Sequence, residues 1–491
     1  EVRDFFTLYY QASYMTLAIE GPQSLAELAL LSKNMFSGIK NNNSALPAIT
    51  EPLYLPEHKG IYINVKPVKN DHQLIISFAM ESIDKFYKDK PESILAYLIG
   101  HEGEGSILAT LKQKQWAMGL TAGSGINGSN FKDFNISISL TEKGERYIDD
   151  IIAVVFSYIG LLKSAKLPLF YYQEKQAIAN LSFNYHEKSR PLDNVSQLVI
   201  NMQHYPCEDY IFGDYIMSGM QEQNINLLLS YLHANNLRVV HISQNNDFSK
   251  TSFWYQVPYS VNKISSKKIS YWEELSTPSN TNFKVNSALF LPKENPYITG
   301  EPHVYENIDN STLPTKIEDS SGLSVWFKQD TTFKVPKGYI YLGIDSPYSI
   351  KSIETIAMTR LFVDLYTNAV IEQNYDAELA GIHYHLYAHQ GGLTLQLSGI
   401  SKNQPKLLDK LLYQLTHQQV NEEDFILYKN QLIKHWQNSD KSKSISQLFS
   451  TLSSLMQPNN PTADELSKAL TKINFSQYQE FCHKLFNKVT L

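Results

Sequence analysis

The sequence predicts an α+β fold made of repeated domains, each with a largely antiparallel sheet covered on one side by helices. Three observations lead to this prediction. The same order of strand, helix, hairpin and helix occurs twice, about 260 residues apart. The strands alternate apolar and polar residues and so present one apolar face, while the helices carry one apolar stripe. A chain of 491 residues with 43% hydrophobic residues is long enough for several buried cores.

Each copy begins with an apolar strand that is followed by a long helix. The two strands are Leu74 to Phe78 and Tyr339 to Ile344, in which apolar residues alternate. Pro91 and Ser352 lie near the starts of the two helices, where such residues are common.

The segments after these helices are also related. Leu111 to Trp116 (LKQKQW) matches Val370 to Tyr375 (VIEQNY), and TAGSGI at Thr121 to Ile126 matches LAGIHY at Leu379 to Tyr384. A hairpin and an amphipathic helix complete each copy, with apolar positions at Phe134, Ile136, Ile138 and Leu140 or Leu393, Leu395 and Leu397 in the strands, and at Ile148, Ile151, Ile152 and Val155 in the first helix.

The two ends of the chain resemble the end of the first copy. Asn236 to Ser243 resembles both Ser13 to Glu20 and Asn487 to Leu491. Residues 1 to about 45 therefore read as the final strand and helix (Ser24 to Ile39) of a preceding copy. We expect the chain to be a piece of a longer polypeptide.

Proline-rich junctions suggest the domain bounds. Pro47, Pro52 and Pro56 mark the first junction, and a stretch from Pro292 to Pro314 that is rich in Pro, Asn and Ser marks the second. The predicted organisation is the end of a preceding domain (1–50), a complete second domain (51–290), a linker (291–323) and a third domain (324–491) that stops in its last strand.

Composition excludes several classes of protein. The net charge is −6, so no basic field would attract nucleic acid. The most apolar stretch, Ile151 to Leu162, is too short for the ~20 residues of a membrane span. Cys207 and Cys482 are far apart in sequence, which argues against a disulfide scaffold. The compartment stays open between periplasm and cytoplasm.

The segment His101-Glu102-Gly103-Glu104-Gly105 is the densest chemical signal. It lacks the second His that the zinc motifs HExxH and HxxEH require, so no metal site is predicted there. One interpretation is a break between two helices, with Ser106 as the N-cap of the second. The other is a binding site, in which free backbone N–H groups bind a carboxylate or another backbone, and Glu102 and Glu104 meet the amino terminus of a peptide.

The segment Leu120 to Gly125 has small side chains and forms part of the predicted hairpin. An exposed strand there could accept an extended peptide as an added strand, and the alternative is a plain hairpin loop.

Two other motifs fail their structural requirements. Gly123 to Gly128 fits GxGxxG, but a helix precedes it and a strand follows, which is the wrong context for a dinucleotide. Among His383, His385 and His389, alternation places the first two on one strand face, which is ligand-like spacing, but no Cys or carboxylate stands with them, so a solvated or packed His pair is predicted. No catalytic Ser, Cys or carboxylate constellation is recognised, so no catalytic residue is predicted.

Four long motifs resemble the insulinase and pitrilysin family of zinc metallopeptidases. They are GHEGEGSILATLKQKQW (Gly100 to Trp116), WYQVPYSVNKI (Trp254 to Ile264), VWFKQDTTFKVPKGYIYLGIDSP (Val325 to Pro347) and AELAGIHYHL (Ala377 to Leu386). The resemblance implies four similar α+β domains in two bowl-shaped halves that enclose a chamber for peptides. It also implies that Zn²⁺ and its HxxEH ligands belong to the first domain, ahead of this sequence, and that this piece binds none.

The resemblance also suggests substrate-binding residues. In family members the HEGxGS turn and the strand after the Trp bind the amino-terminal end of the substrate by strand addition. The matching residues here are His101, Gly103, Gly105, Leu120, Thr121, Ala122 and Gly123. Glu104 stands where many relatives have Pro, and Gln115 where many have Gly, which leaves specificity open.

The leading hypothesis is a zinc-dependent metalloendopeptidase in which this piece supplies chamber wall and peptide exosite. Its expected partners are the peptide substrate and the remaining domains of the same polypeptide, and the piece alone should be inactive. The rival hypothesis is a non-catalytic family member that serves as a peptide-binding or structural subunit. A stand-alone peptide-binding protein is a third interpretation, against which the unpaired final strand argues. Oligomeric state and cleavage preference are not predicted.

Overall fold

A computed structural model of the chain describes residues 1–41, 49–277, 288–298, 301–306 and 311–491. The helices are α1 (Val2–Tyr9), α2 (Leu25–Phe36), α3 (Pro91–Ile99), α4 (Ile107–Gln113), α5 (Ile148–Ser164), α6 (Phe170–Asn184), α7 (Pro191–His204), α8 (Glu222–Tyr231), α9 (Ser266–Leu275), α10 (Ile353–Leu379), α11 (Gln404–Thr416), α12 (Glu422–Gln437), α13 (Ser444–Met456), α14 (Ala463–Thr471) and α15 (Phe475–Leu485).

The strands are β1 (Ile61–Val65), β2 (Gln73–Met80), β3 (Ala117–Asn127), β4 (Lys132–Leu140), β5 (Leu237–Ile242), β6 (Lys250–Thr251), β7 (Pro258–Lys263), β8 (Thr315–Ser320), β9 (Leu323–Phe327), β10 (Lys337–Asp345), β11 (Ile382–Ala388) and β12 (Gly392–Ile400). We call residues 61–275 the first module and residues 337–490 the second module.

The first module is built on a seven-stranded sheet in the order β3-β4-β2-β5-β1-β7-β6. Strands β1 and β5 run parallel, and the other pairs of this sheet are antiparallel. Strand β3 therefore lies at one edge of the sheet, paired with β4.

The second module contains an antiparallel sheet in the order β10-β12-β11, and a separate hairpin of β8 and β9 precedes it. Strand β10 also meets the end of the chain through an antiparallel bridge between Asp345 and Thr490, and the Leu491 N–H donates to the Gly322 carbonyl at 2.8 Å. The expectation that the final strand is unpaired is therefore wrong.

The repeat predicted from the sequence is confirmed by these sheets. Strands β2, β4 and β3 occupy the same places as β10, β12 and β11, and each set is antiparallel. The closing strand β5 lies beside β2, just as Thr490 lies beside β10. Both modules combine such a sheet with helices, so the predicted α+β class is confirmed.

Alternating strand residues bury one face of each sheet under helices. In the first module Leu74, Ile76 and Phe78 of β2 are fully buried, and the Phe78 ring meets Phe156 of α5 edge to face at 6.0 Å. In the second module Leu395 and Leu397 of β12 are equally buried. Each such side chain contributes about 1.5–3 kcal/mol to folding, which fixes the helices over the sheet.

Two details differ from the sequence prediction. The pattern of Ser13 to Glu20 predicts a strand, but the segment contains the end of a short 3-10 helix (Ala12–Tyr14) and then irregular residues that pair with no strand among the described residues. An extended segment becomes a strand only when another backbone supplies hydrogen bonds. The following helix α2 does form, with Ser24 as its N-cap and Glu27 completing a capping box.

The matching sequences TAGSGI and LAGIHY lie in different secondary-structure elements of the two modules. Residues 121–126 lie inside strand β3, whereas Leu379 ends helix α10 and Gly381 turns the chain into β11 with φ +75°. The long helix of the second copy corresponds to two helices, α3 and α4, in the first. The two segments are alike because both contain small residues, which lie inside a strand in the first module and in a helix-to-strand turn in the second.

The predicted linker is partly described. Residues 288–298, which we call the strap, pack between the two modules, whereas residues 299–300 and 307–310, and Pro47 of the first junction, lie outside the described residues. The Tyr171 hydroxyl donates to the Pro292 carbonyl at 2.6 Å, and Asn295 Nδ2 donates to the Asp376 carbonyl at 2.7 Å. The strap therefore bonds to α6 on one side and α10 on the other.

Within the described part of the chain, no helix has the length and apolar character needed to cross a membrane.

Candidate functional site

The glycine segment forms a turn between helices α3 and α4. Pro91 occupies the first turn of α3, and Ser106 caps α4 by accepting the Ala109 N–H at 3.0 Å. The predicted helix break with Ser106 as N-cap is therefore confirmed. We call residues 100–105 the glycine turn.

Two glycines make this turn possible. A side chain at Gly105, where φ is +81°, would place its Cβ 2.6 Å from the Phe290 ring of the strap. A Cβ at Gly103 would lie 2.7 Å from Cε1 of His101. Contacts this short exclude any larger residue without movement of the turn or its neighbours.

His101 is buried at the base of the turn, with 3% of its surface exposed. Its Nδ1 accepts the Gly103 N–H at 3.0 Å, and its ring meets Tyr375 edge to face at 4.8 Å. Burial lowers the pKa of His101 to about 4, so the imidazole is neutral at pH 7 and carries its proton on Nε2. That nitrogen has no hydrogen-bond partner among the described residues, and Asp376 Oδ1 is 3.9 Å away.

The glycine turn of the first module forms hydrogen bonds with the strap and with the second module. The Phe290 N–H of the strap donates to the Gly105 carbonyl at 3.1 Å, and the Tyr375 hydroxyl of α10 donates to the Gly100 carbonyl at 3.4 Å. The sequence did not predict the part played by Tyr375 and Asp376, because nothing local to the turn indicates which distant helix covers it.

Strand β3 brings the second group of predicted residues beside this turn. A Cβ built on Gly100 would lie 3.5 Å from both N and Cβ of Ala122, and one on Gly123 would lie 3.8 Å from Cβ of Ala96. The Leu120 side chain is buried in the core, and Thr121 is exposed on the other face. The glycine turn and strand β3, which hold the predicted residues, therefore lie next to each other where Gly100 meets Ala122.

The hydrogen-bond register shows which main-chain groups of β3 face outward. The Leu140 N–H donates to the His72 carbonyl, which precedes β2. The main-chain N–H and C=O groups of even-numbered β4 residues therefore point to β2, and those of odd-numbered residues point to β3. Thr121 and Gly123 lie opposite Ser137 and Asn135 and are bonded to β4. By the same alternation, residues 120 and 122 direct their N–H and C=O groups to the free edge.

At the matching edge in the second module, one outward amide is bonded to a side chain. The Tyr384 N–H of β11 donates to Glu378 Oε1 at 3.1 Å, and His383 Nδ1 lies 2.6 Å from Glu378 Oε2. This pair raises the pKa of His383. For residues 120–123 of β3, the described residues offer no hydrogen bond to the main chain other than those from β4. In β11 the outward amide of Tyr384 is thus bonded, whereas in β3 neither residue 120 nor residue 122 has a bonded outward amide among the described residues.

Half-buried carboxylates surround the turn. Burial raises the pKa of Glu102 and also that of Glu372 and Asp376 on α10, while Lys112 opposes the shift at Glu102 and Glu372. Glu104 is exposed. Glu102 and Glu104 were predicted from the sequence, whereas the α10 carboxylates were not.

Comparison with known proteins identifies the family. Residues 183–469 match the family model described as the middle or third domain of peptidase M16, and residues 1–178 match the peptidase M16 inactive domain. The chain belongs to the peptidase M16 family. This confirms the resemblance to the insulinase and pitrilysin proteins.

Individual M16 relatives agree with this result. The chain is 28% identical over 492 residues to insulin-degrading enzyme of Homo sapiens, covering 100% of this chain and 48% of that protein. It is 30% identical over 447 residues to nardilysin of Rattus norvegicus, covering 89% of this chain and 38% of that protein. The crystal structure of pitrilysin superposes with a TM-score of 0.68 and 25% identity, covering 99% of this chain and 51% of that one. The chain thus spans about half of these relatives or less.

The described residues of this M16 chain include no group of three or more His, Cys, Asp or Glu side chains that could hold a metal ion. The interpretation that no carboxylate stands beside the histidines of β11 is wrong, because His383 Nδ1 lies 2.6 Å from Glu378 Oε2 once the chain turns at Gly381. His389 Nδ1 accepts the Gly391 N–H at 3.0 Å. Zinc, which the family resemblance implies, therefore does not fit the residues described.

A buried polar cluster lies elsewhere in the first module and was not predicted. His72 Nδ1 lies 3.0 Å from Glu145 Oε1, and His241 Nε2 lies 3.4 Å from the same oxygen. Burial acts to raise the pKa of Glu145, but the polar groups around the carboxylate, the imidazoles of His241 and His72 first among them, outweigh burial and hold that pKa below its usual value. The three residues are far apart in sequence, so no spacing signal indicates the cluster.

Proposed function

We propose that the full-length protein is a zinc-dependent metalloendopeptidase that degrades peptides in a closed chamber, and that this chain supplies chamber wall and a peptide exosite. Membership of the peptidase M16 family supports the peptidase class. The relatives include a protein named for degrading insulin, which is consistent with a peptide substrate. Zinc, when bound elsewhere in the protein, would supply the activated water.

The observation that carries the exosite proposal is the open edge of β3 beside the glycine turn. An edge strand with unpaired N–H and C=O groups is a template for another extended chain. The outward groups of Leu120 and Ala122 would each exchange hydrogen bonds with the main chain of an added peptide. The backbone supplies this recognition, so many sequences would bind.

The glycine turn limits where such a peptide begins. The turn reaches the edge at Ala122, and Glu102 and Glu104 place negative charge there. A peptide amino terminus is a cation, so we propose that it lies toward the turn while the rest of the peptide extends along β3. Holding one end fixes the position of a distant bond relative to the catalytic centre.

The domain bounds 1–50, 51–290, 291–323 and 324–491 also remain a proposal. They are supported by two separate hydrophobic cores, one in each module, with the strap between them.

The alternative is a non-catalytic M16 protein that binds peptides or serves as a structural subunit. The match of residues 1–178 to a model described as the inactive domain favours a non-catalytic role for this part of the protein. Strand addition at β3 would be the same in either case. The presence of an HxxEH motif with a later Glu in the full-length sequence supports the peptidase, and its absence supports the subunit.

The exosite is tested by substituting Ala122. Ala122→Pro removes an outward N–H without removing a bond to β4, so the affinity for an unstructured fluorescent peptide should fall about tenfold or more, as expected for the loss of one or two main-chain hydrogen bonds. Binding is measured by fluorescence anisotropy.

The matched control is Ala122→Ser, which keeps the N–H and should bind like the unchanged protein. Circular dichroism checks that both variants are folded. Equal affinity of Ala122→Pro and Ala122→Ser would exclude β3 as the binding edge.

A further inference from the structure

Carboxylates of two modules meet at the glycine turn. Glu102 lies in the turn, and Glu372 and Asp376 lie on α10, with all three partly buried. The main-chain carbonyl of Glu372 would be 3.9 Å from a Cβ built on Gly103, so this part of α10 lies directly against the turn. Electrostatic interactions also link Glu102 with Glu378 and Glu372 with Glu104.

These carboxylates have few cationic partners. Among the described residues, no Lys or Arg nitrogen lies within 4.0 Å of a carboxylate oxygen of Glu102, Glu372 or Asp376. Lys112 interacts at longer range with Glu102 and Glu372. Lys410 interacts with Asp376 but donates its hydrogen bond to the Gln373 carbonyl at 2.8 Å. Partly buried charges without close partners are costly, so the site favours an added cation.

His101 gives an independent indication of a ligand at the same place. Its Nε2 is buried, has no acceptor among the described residues and points toward Asp376, 3.9 Å away. Because the imidazole is neutral with its proton on Nε2, this nitrogen is a donor that needs an oxygen. The amino-terminal residue of a peptide offers both a cationic ammonium group and a carbonyl oxygen.

We call the contact between the glycine turn and residues 372–376 of α10 the seam. We propose that the seam selects peptides whose amino-terminal segment carries more than one positive charge. The inference rests on the exosite proposed above and adds the class of peptide it prefers. The single positive charge of one ammonium group cannot neutralise the negative charges of Glu102, Glu372 and Asp376 together with that of the exposed Glu104. In an extended strand the rise is about 3.3 Å per residue, so side chains of the first few residues stay beside the same carboxylates.

The test compares three peptides that share one central sequence and begin with Lys-Arg, Ala-Ala or Glu-Glu. With the complete chain and fluorescence anisotropy, affinity should fall in that order, by about tenfold or more from first to last at low salt. Raising NaCl from ~50 to ~500 mM should remove most of the difference, because salt screens partly exposed charges.

The variant Glu102→Gln/Glu372→Gln should weaken binding of the Lys-Arg peptide more than that of the Ala-Ala peptide, so that the ratio of the two affinities falls by about threefold or more. The matched control is Glu422→Gln/Glu423→Gln, which makes the same change in charge at exposed positions of α12 and should keep the preference. The salt series on the unchanged protein needs no variant to fold.

The outcomes separate this inference from the exosite proposal. Equal binding of the three peptides, with Ala122→Pro still weakening all of them, would overturn the charge preference alone. A charge preference that persists unchanged in Glu102→Gln/Glu372→Gln would also overturn it. Binding that Ala122→Pro leaves unaffected would instead overturn the exosite.

Discussion

The buried imidazole of His101 holds the glycine turn through one hydrogen bond. Its Nδ1 accepts the Gly103 N–H at 3.0 Å, and His389 makes the same bond with Gly391 at 3.0 Å on the surface. The two histidines thus form one motif in two environments. Such a pair allows the effect of burial to be measured directly.

His101→Phe should destabilise the protein by about 1–3 kcal/mol, because it leaves a buried N–H without an acceptor. The same substitution at His389 should cost much less, since water replaces the lost acceptor there. Urea unfolding of the two variants measures the difference. Equal destabilisation by the two substitutions would contradict the role assigned to His101.

Glu145 is expected to make stability depend on pH. Its pKa is held below the usual value of 4.5, so the carboxylate stabilises the fold above that value, and the contribution disappears as pH falls through the lower folded-state pKa. Glu145→Gln should therefore lose about 1–3 kcal/mol near pH 7 and approach the unchanged protein at low pH. Urea unfolding across this pH range measures it, and a constant difference would count against the assignment.

The residues of the site differ in how far the sequence predicts them. Gly103, Gly105 and Ser106 are predictable, because helix breaks and caps depend on residues close in sequence. Tyr375 and Asp376 are not, since their contact with His101 depends on how two modules pack.

Among the elements, strand β3 and the glycine turn define the candidate site together. Alternation of apolar residues predicts the hairpin of β3 and β4, as observed. It does not predict that β3 is an edge strand, or that Glu378 accepts the Tyr384 N–H at the edge of its counterpart, β11. Ser13 to Glu20 has the same alternation and forms no strand, because pairing requires a second backbone.

The strap is an element whose contact with the turn can be tested. Gly105→Ala should destabilise the protein by about 1–3 kcal/mol, because its Cβ would collide with Phe290 and the backbone has φ +81°. Gly119→Ala is the control, since a Cβ at Gly119 meets nothing within 4 Å. Thermal unfolding compares them.

Adding Phe290→Ala to Gly105→Ala should recover part of the stability, because it removes the collision and leaves the backbone strain. Strictly additive effects of the two substitutions would show that the turn and the strap do not interact.

At the scale of the whole molecule, the two modules are joined at more than one place. Besides the strap and the glycine turn, Asn70 and Asn438 exchange hydrogen bonds at 3.0 Å between the first module and the end of α12. The repeated module itself could be predicted from the sequence, because each copy carries its own strand and helix patterns. The seam could not, since its contacts join residues that no local pattern relates.

This seam places the proposed binding edge next to carboxylates from both modules. Peptide binding at β3 would therefore involve residues of the first module and of α10 at once. Amide hydrogen exchange reports on each edge strand separately, so it can show whether peptide binds at β3.

Hydrogen–deuterium exchange with and without bound peptide shows whether β3 is the binding edge. Exchange should slow in residues 117–127 of β3 when peptide binds, because the outward N–H groups of residues 120 and 122 gain acceptors. Residues 382–388 of β11 should not change, because no peptide is proposed to bind there and Glu378 already accepts the Tyr384 N–H of that edge. Saturating peptide that leaves exchange in β3 unchanged, or that protects β11 instead, would contradict the account.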